Sequence, residues 1–334
     1  MNTMDEIVDV FDGHPGSDLP PPAIFTQTGA VELMDACGEA WPDANFDPGK
    51  MAILALQPSR LFSFATARVP YCLTVEAEGL GATVDPGRRD SQPSVKTSPY
   101  RNGVGIIDPP DFSITPDEFA DRGRCLMVAE VARRLSSEGL FTTACTVDPA
   151  FIAMNLVGAE EMIMGYLMDP DRIIAWADAL SPYSCAYAKR LSEAADNVLV
   201  VASASLDLFT PEMYSRLAEN QVTMMVHSVK SSFCTIHSCG DTRQTATSLS
   251  RSGADALSLE ASSDPGLYME KVGGRCLMVG SVRPAHTLLM GSPADVRSEA
   301  RACAEEGFDI ITPECGVPPR TPNENLDALA HYRG

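Results

Sequence analysis

The chain has 334 residues, 45% of them hydrophobic and 21% charged, which allows two small domains or one large barrel and excludes a disordered protein. Its 25 Lys+Arg against 45 Asp+Glu leave a net charge of −20 with no basic stripe, which argues against nucleic acid as a partner. No stretch approaches the ~18–20 uninterrupted apolar residues of a bilayer helix, so no membrane partner is expected.

The opening run MNTMDEIVDVFDG has neither a basic start nor a continuous apolar core. A cytoplasmic location is therefore expected, with residues 1–20 as a peripheral segment. The first hundred residues are irregular, punctuated by prolines that include Pro15, Pro20, Pro21, Pro22, Pro42, Pro48, Pro70 and Pro86. They read as an elaborated extension carrying two or three helices. One of these, ELMDACGEAW, begins just after Thr28-Gly29. From Pro116 to Ser137 the apolar residues Phe119, Cys125, Val128, Val131 and Leu135 recur at helical spacing, and the pattern stops at Gly139.

Short β-branched runs then alternate with helical stretches. LFTTACTVD, NVLVVASAS, FCTIHS, ADALSLEA, CLMVGSV and FDIITPE are each followed by an amphipathic segment. Strand then helix, six times over, predicts a parallel sheet covered by helices. The expected fold class is α/β: a single (β/α)8 barrel of the TIM type over residues 1–334, with an N-terminal helical and irregular extension. The rival, a doubly wound nucleotide-binding fold, lacks its signature, because no G-x-G-x-x-G follows a strand and no phosphate loop is present.

In such a barrel the chemistry sits at the C-terminal ends of the strands. Those ends offer Ser203 or Ser205, His237 with Cys239, Glu260, Arg283 and Cys315. Six of the ten cysteines (Cys72, Cys125, Cys145, Cys185, Cys276 and Cys303) lie in apolar runs and read as buried small hydrophobes. Cys239 and Cys315 differ, each being followed at once by glycine where a strand leaves the core. His237 and Cys239 are two residues apart and share one face of an extended segment. Cys315 faces them from the last strand, about three strands away. Taken singly, His237 reads as a satisfied core histidine and Cys239 as a turn residue; the placement of all three at strand ends favours a shared ion. One imidazole and two thiolates suit zinc, and three protein ligands with a fourth position open mark a catalytic rather than a structural site. Such a zinc holds little net positive charge and favours an incoming thiolate, which points to alkyl transfer onto sulfur. Hydrolysis ordinarily recruits His and carboxylate ligands, and H-E-x-x-H is absent. Glu260 is expected either to fill the fourth position as a displaceable ligand or to pair with Arg283.

Several motifs resemble a known family. Thr26-Gln27-Thr28-Gly29, Val31-Glu32-Leu33-Met34, Trp41-Pro42, Val69-Pro70-Tyr71-Cys72-Leu73-Thr74-Val75-Glu76-Ala77-Glu78, His237-Ser238-Cys239-Gly240, Gly253-Ala254-Asp255 and Cys315-Gly316-Val317-Pro318-Pro319 are similar to the uroporphyrinogen decarboxylase superfamily, and within it to the methylcobamide:coenzyme M methyltransferase branch. The resemblance runs from about residue 20 to residue 330. It implies one barrel that binds zinc through His237, Cys239 and Cys315. It also implies, as in methanogenesis, that coenzyme M takes a methyl group from a corrinoid carried by a partner protein. Arg283 is the expected seat of the coenzyme M sulfonate, or else pairs with Glu260 or Asp264, while Gln27, Thr28 and Glu76 are expected to border the opening. The chain has no arginine before Arg60, which disfavours tetrapyrrole decarboxylation. It departs from the family's usual Gly-Asn-Val-x-Pro at Gly280-Ser281-Val282-Arg283-Pro284, and from an Asp-Pro at Val201-Ala202. Two alternatives stand beside this reading: corrinoid-linked methyl transfer with another acceptor or donor, of the O-demethylation type, and a non-catalytic corrinoid- or tetrapyrrole-binding barrel.

Overall fold

Val, Ile and Thr stiffen χ1 and pack well on a pleated surface, and the β-branched runs of this chain form strands buried on both faces. A computed structural model describes residues 3–14, 19–101 and 107–334. Its strands in chain order are β1 (Thr66–Val69), β2 (Thr83–Asp85), β3 (Ser94–Thr97), β4 (Phe141–Val147), β5 (Asn197–Val201), β6 (Phe233–Ser238), β7 (Ala256–Leu259), β8 (Leu277–Val282) and β9 (Ile310–Pro313). Seven of them form one curled parallel sheet in the order β1-β4-β5-β6-β7-β8-β9, and β2 and β3 pair as a separate antiparallel hairpin. All seven positions of β4 and all five of β5 are buried, as expected for a sheet with helices on one side and a filled interior on the other.

The six strands read from sequence are present. β1 was not read, and neither was the piece that joins the sheet's edges. Pro22 bridges Ile311 of β9 in parallel, with the Ala23 N–H donating to Ile311 O and the Ile311 N–H to Pro21 O, each 2.9 Å. On its other side, the Ile24 N–H donates to Thr66 Oγ1 of β1 at 2.9 Å. Residues 21–24 thus fill the eighth place around the barrel without becoming a regular strand, because prolines 20–22 have no N–H to offer a ladder.

Residues 1–20 were expected to be peripheral, and the helix Met4–Phe11 corrects this. Ile7 and Val10 are buried in one cluster with Phe25 and with Phe141, Ala256, Val279 and Ile310, residues at or near the starts of β4, β7, β8 and β9. The Phe11 ring stacks on Phe233 with centroids 4.5 Å apart, and on Phe141 at 5.6 Å. The helix closes the N-terminal end of the barrel with a layer of apolar side chains. Residues 1, 2 and 15–18 of that segment lie outside the described residues.

The helical reading from Pro116 to Ser137, and the amphipathic segment that follows LFTTACTVD, are each broken where glycine takes a positive φ. Pro116–Ala120, with its Thr115/Glu118 capping box, is separated from Gly123–Ser137, and Gly123 has φ +56°. Pro149–Val157 and Ala159–Met168 bend by 105° about Gly158. Among the described residues no single helix is long and apolar enough to cross a membrane.

Candidate metal centre

β6 runs out of the core at His237, whose register partner on β7 is Ser258. The imidazole Nδ1 lies 2.9 Å from the Ser258 carbonyl oxygen and 3.1 Å from its hydroxyl. A carbonyl only accepts, so Nδ1 carries the proton and the Nε2 lone pair faces the barrel mouth. There Nε2 lies 3.1 Å from Cys239 Sγ, which is 3.0 Å from Cys315 Sγ. The ligand atoms of His237, Cys239 and Cys315 all fall within 4.8 Å of one another, the one such group of three or more His, Cys, Asp or Glu among the described residues. A tetrahedron built on ~2.3 Å zinc–sulfur bonds has edges of about 3.8 Å, so admitting the ion requires the sulfurs to part by less than an ångström. The neighbouring Cys239 sulfur and burial together push the Cys315 thiol far up, a cost that a bound cation removes by taking the thiolate.

The loops are shaped for this. Gly240, directly after Cys239, has φ +71°, and a Cβ there would meet Asp207 Oδ2 at 2.2 Å and Ser205 Oγ at 2.4 Å. Only glycine fits the turn. Cys315, two residues past β9, is held from across the closure. Thr26 Oγ1 donates to Cys315 O at 2.9 Å, the Val317 N–H donates to Gln27 O at 2.8 Å, and Gln27 Nε2 returns a bond to Val317 O at 2.9 Å. The Gln27 amide oxygen accepts from the Gly29 N–H. Gln27 therefore borders the cavity but spends its amide on the Cys315 loop, and Thr28 turns back to the carbonyl of Thr26.

The structure does not gather the other expected residues with the cluster. The Glu260 carboxylate, half-buried at the end of β7, stands outside the 4.8 Å group. Arg283 lies away from the cavity and grips Glu299 of helix Pro293–Glu306 through Nε at 3.0 Å and Nη2 at 3.1 Å, so its partner is neither Glu260 nor Asp264. The physical reason is the mostly buried Glu299 carboxylate, which takes the guanidinium fork. Glu76 is buried and accepts from Thr146 Oγ1 at 2.8 Å and the Val147 N–H at 3.0 Å, bracing helix Val75–Gly79 against β4; burial pushes its carboxyl up. Ser203 is taken up by Asp148 and Ser205 by Asp207.

Two side chains escaped the sequence reading. Glu314, 6% exposed, accepts from the Ser262 N–H and hydroxyl and from Ser281 Oγ at 2.7 Å, tying together the ends of β7, β8 and β9. Arg68, also 6% exposed, projects from β1 into the cavity beside the cluster. That cavity is about 120 Å³, about four water volumes at ~30 Å³ each. Leu73, Leu199 and Val201 supply its apolar wall and Tyr71 packs beside them. Larger hollows of about 510 and 810 Å³ lie elsewhere, lined by neither the imidazole nor the two thiols.

The family model for uroporphyrinogen decarboxylase (URO-D) matches residues 2–333. The chain is 30% identical over 322 residues to a methylcobamide:CoM methyltransferase, MtaA, of Methanosarcina barkeri, spanning 95% of this chain and 93% of that protein. It is 29% identical to a methylated-thiol–coenzyme M methyltransferase of Methanosarcina mazei, over 93% of this chain and 83% of that one. Among solved structures it is similar to a methyltransferase from Methanosarcina mazei, with a TM-score of 0.89 and 30% identity over 100% of this chain and 98% of the other.

Proposed function

The chain belongs to the uroporphyrinogen decarboxylase family and is a methyltransferase, and from that premise we propose that in the cytoplasm it moves a methyl group from a methylated corrinoid, carried by a partner protein, to the thiol of coenzyme M. The observation that carries this reading is the convergence of His237, Cys239 and Cys315 within 4.8 Å at the mouth of the barrel. An N/S/S donor set with an open side fits zinc. When bound, zinc would supply the positive charge that lets an incoming thiol lose its proton near neutral pH. The chain's own residues do the rest. Ser258 fixes the imidazole so that Nε2 faces the two sulfurs. Thr26 and Gln27 hold the Cys315 loop in register with Cys239. Leu73, Leu199 and Val201 thin out water around the acceptor sulfur, which keeps a thiolate weakly solvated and nucleophilic. Glu260, half-buried at the end of β7, would serve as the displaceable fourth ligand.

The test is metal content together with methyl transfer. Purified protein should hold about one zinc per chain, and coenzyme M should then consume the cobalt–carbon absorbance of methylcobalamin. Cys315→Ala should lose zinc and lower transfer at least 100-fold while far-UV circular dichroism stays unchanged, because the ligand sits at the rim. Full activity in that variant refutes the site, and transfer of the corrinoid's methyl group to a non-thiol acceptor, with a methoxy-aromatic as the upstream donor, would favour the O-demethylation reading.

A further inference from the structure

We propose that Arg68 is the seat of the acceptor's acid group: its guanidinium binds the sulfonate, or a like oxyanion, of a short thiol whose sulfur reaches the His237–Cys239–Cys315 cluster. The inference rests on the reading that this protein methylates a thiol, and it moves recognition of the acid end from Arg283, just past β8, to an arginine on β1.

The argument begins with a charge that has no counter-charge. Arg68 is buried, its Nη1 donates to the carbonyl of Pro70, and its Nε has no hydrogen-bond partner. Its other neighbours include the thiol of Cys145 in β4 and the buried Tyr71. Burial pushes that thiol up to about 11, with the Arg68 guanidinium pulling the other way. Among the described residues no carboxylate lies within ion-pair distance of Arg68. Two other arginines with largely shielded side chains do have acid partners: Arg124 binds Glu78 at 2.8 Å, and Arg190 binds Asp121 at 2.6 Å. A guanidinium always carries its charge, and burying it unpaired is costly. The unpaired charge faces the cavity lined by His237, Cys239 and Cys315, so the missing partner is one the ligand brings.

The surroundings define that ligand. The planar fork of five donors matches an acid group with at least two oxygens, and Gln92 at the same cavity adds an amide. Leu73, Leu199 and Val201 offer only apolar contact to whatever links acid to thiol. The volume of about 120 Å³ admits a linker of two or three carbons. An acid at one end, a thiol at the other and a short aliphatic link is the class of ligand the site takes.

Two measurements decide it, using zinc-loaded protein, methylcobalamin, and the thiols 2-mercaptoethanesulfonate, 3-mercaptopropionate and 2-mercaptoethanol. In wild type the two acids should be preferred over the neutral thiol by roughly 10- to 100-fold in kcat/KM, the value of one charge-assisted hydrogen-bonded contact. Arg68→Met should abolish that preference, mainly through KM, while zinc content and the rate with 2-mercaptoethanol stay within about threefold; Arg68→Lys should restore part of it. Persistence of the preference in folded, zinc-containing Arg68→Met overturns the proposal. The second measurement is thermal unfolding without any methyl donor. Ethanesulfonate should raise the Tm of wild type and not that of Arg68→Met, and the ligand-free variant should melt no lower than wild type, because an unpaired buried charge has been removed. An equal response of both proteins to ethanesulfonate also overturns the proposal. Failure of wild type to methylate any thiol sinks the functional reading instead; an Arg68-dependent rise in Tm would still identify an anion seat.

Discussion

A single arginine shows how a residue's role is decided by its nearest opposite charge. Arg283 stands at a strand end, where an active-site cation is expected, yet the side chain is committed to Glu299. Burial pushes the Glu299 carboxyl up, but the bonds from Arg283 and Thr287 outweigh burial and hold it below its ordinary 4.5. A folded-state value below the unfolded one means the stabilisation is present above about pH 4.5 and is lost as pH falls through the lowered value. Arg283→Leu should therefore cost about 1 kcal/mol at pH 7, a figure kept small because the arginine is half-exposed. The cost should shrink on acidification below 4.5, as urea denaturation at several pH values will read, and the KM for coenzyme M should not move. A variant that raised that KM would return the acid-binding role to Arg283. The three clustered donors were legible because each sits at the end of a strand that reads clearly, with an i, i+2 pair supplying two of them. Arg68 was not, since its strand is four residues long in a proline-rich region and gives no period to read. Glu314 was passed over because an acid beside a cysteine at a strand end reads as a solvated loop residue until the serines of two neighbouring strands are seen around it.

Elements were legible in proportion to their regularity. The β-branched runs from residue 140 onward gave strands with ends displaced by a few residues, because burial on both faces leaves little choice of conformation. The helical stretches were harder at Gly123 and Gly158, since apolar spacing continues across each glycine while the backbone turns at positive φ. The Met4–Phe11 helix was misjudged for a different reason: an eight-residue amphipathic segment says which face is apolar and nothing about what that face meets. Its fit under the barrel predicts a separation of stability from activity. Ile7 is fully buried in the cluster it forms with Phe25, Phe141 and Ile310, so Ile7→Ala should lower unfolding free energy by about 2–4 kcal/mol. Chemical denaturation measures the loss, while any zinc content and methyl transfer under native conditions should stay at wild-type levels, because the helix closes the end of the barrel opposite His237, Cys239 and Cys315. A loss of zinc in Ile7→Ala would show that the two ends are coupled.

For the molecule as a whole, the charge of −20 is an excess that local ion pairs do not cancel. Exposed pairs contribute little each, whereas like charges repel over a Debye length that falls from ~30 Å at 0.01 M salt to ~8 Å at 0.15 M. Raising sodium chloride across that range should raise the Tm; a fall would mean that attractive pairs outweigh the excess. The closure of the barrel adds a further consequence. Thr26 bonds the carbonyl of Cys315 across 289 positions of sequence, and Gln27 bonds Val317 across 290, so the contacts that seal the sheet are also those that seat one sulfur donor. A polypeptide emerging from the ribosome displays His237 and Cys239 some 76 positions before Cys315 is made, and until then it offers a metal two donors out of three. Even after Cys315 emerges, its loop has no seat until it meets Thr26 and Gln27, made 289 residues before Cys315 and 290 before Val317. A metal bound by all three donors would thereby be captured only when early and late portions of the chain find each other, and its retention would mark a finished molecule.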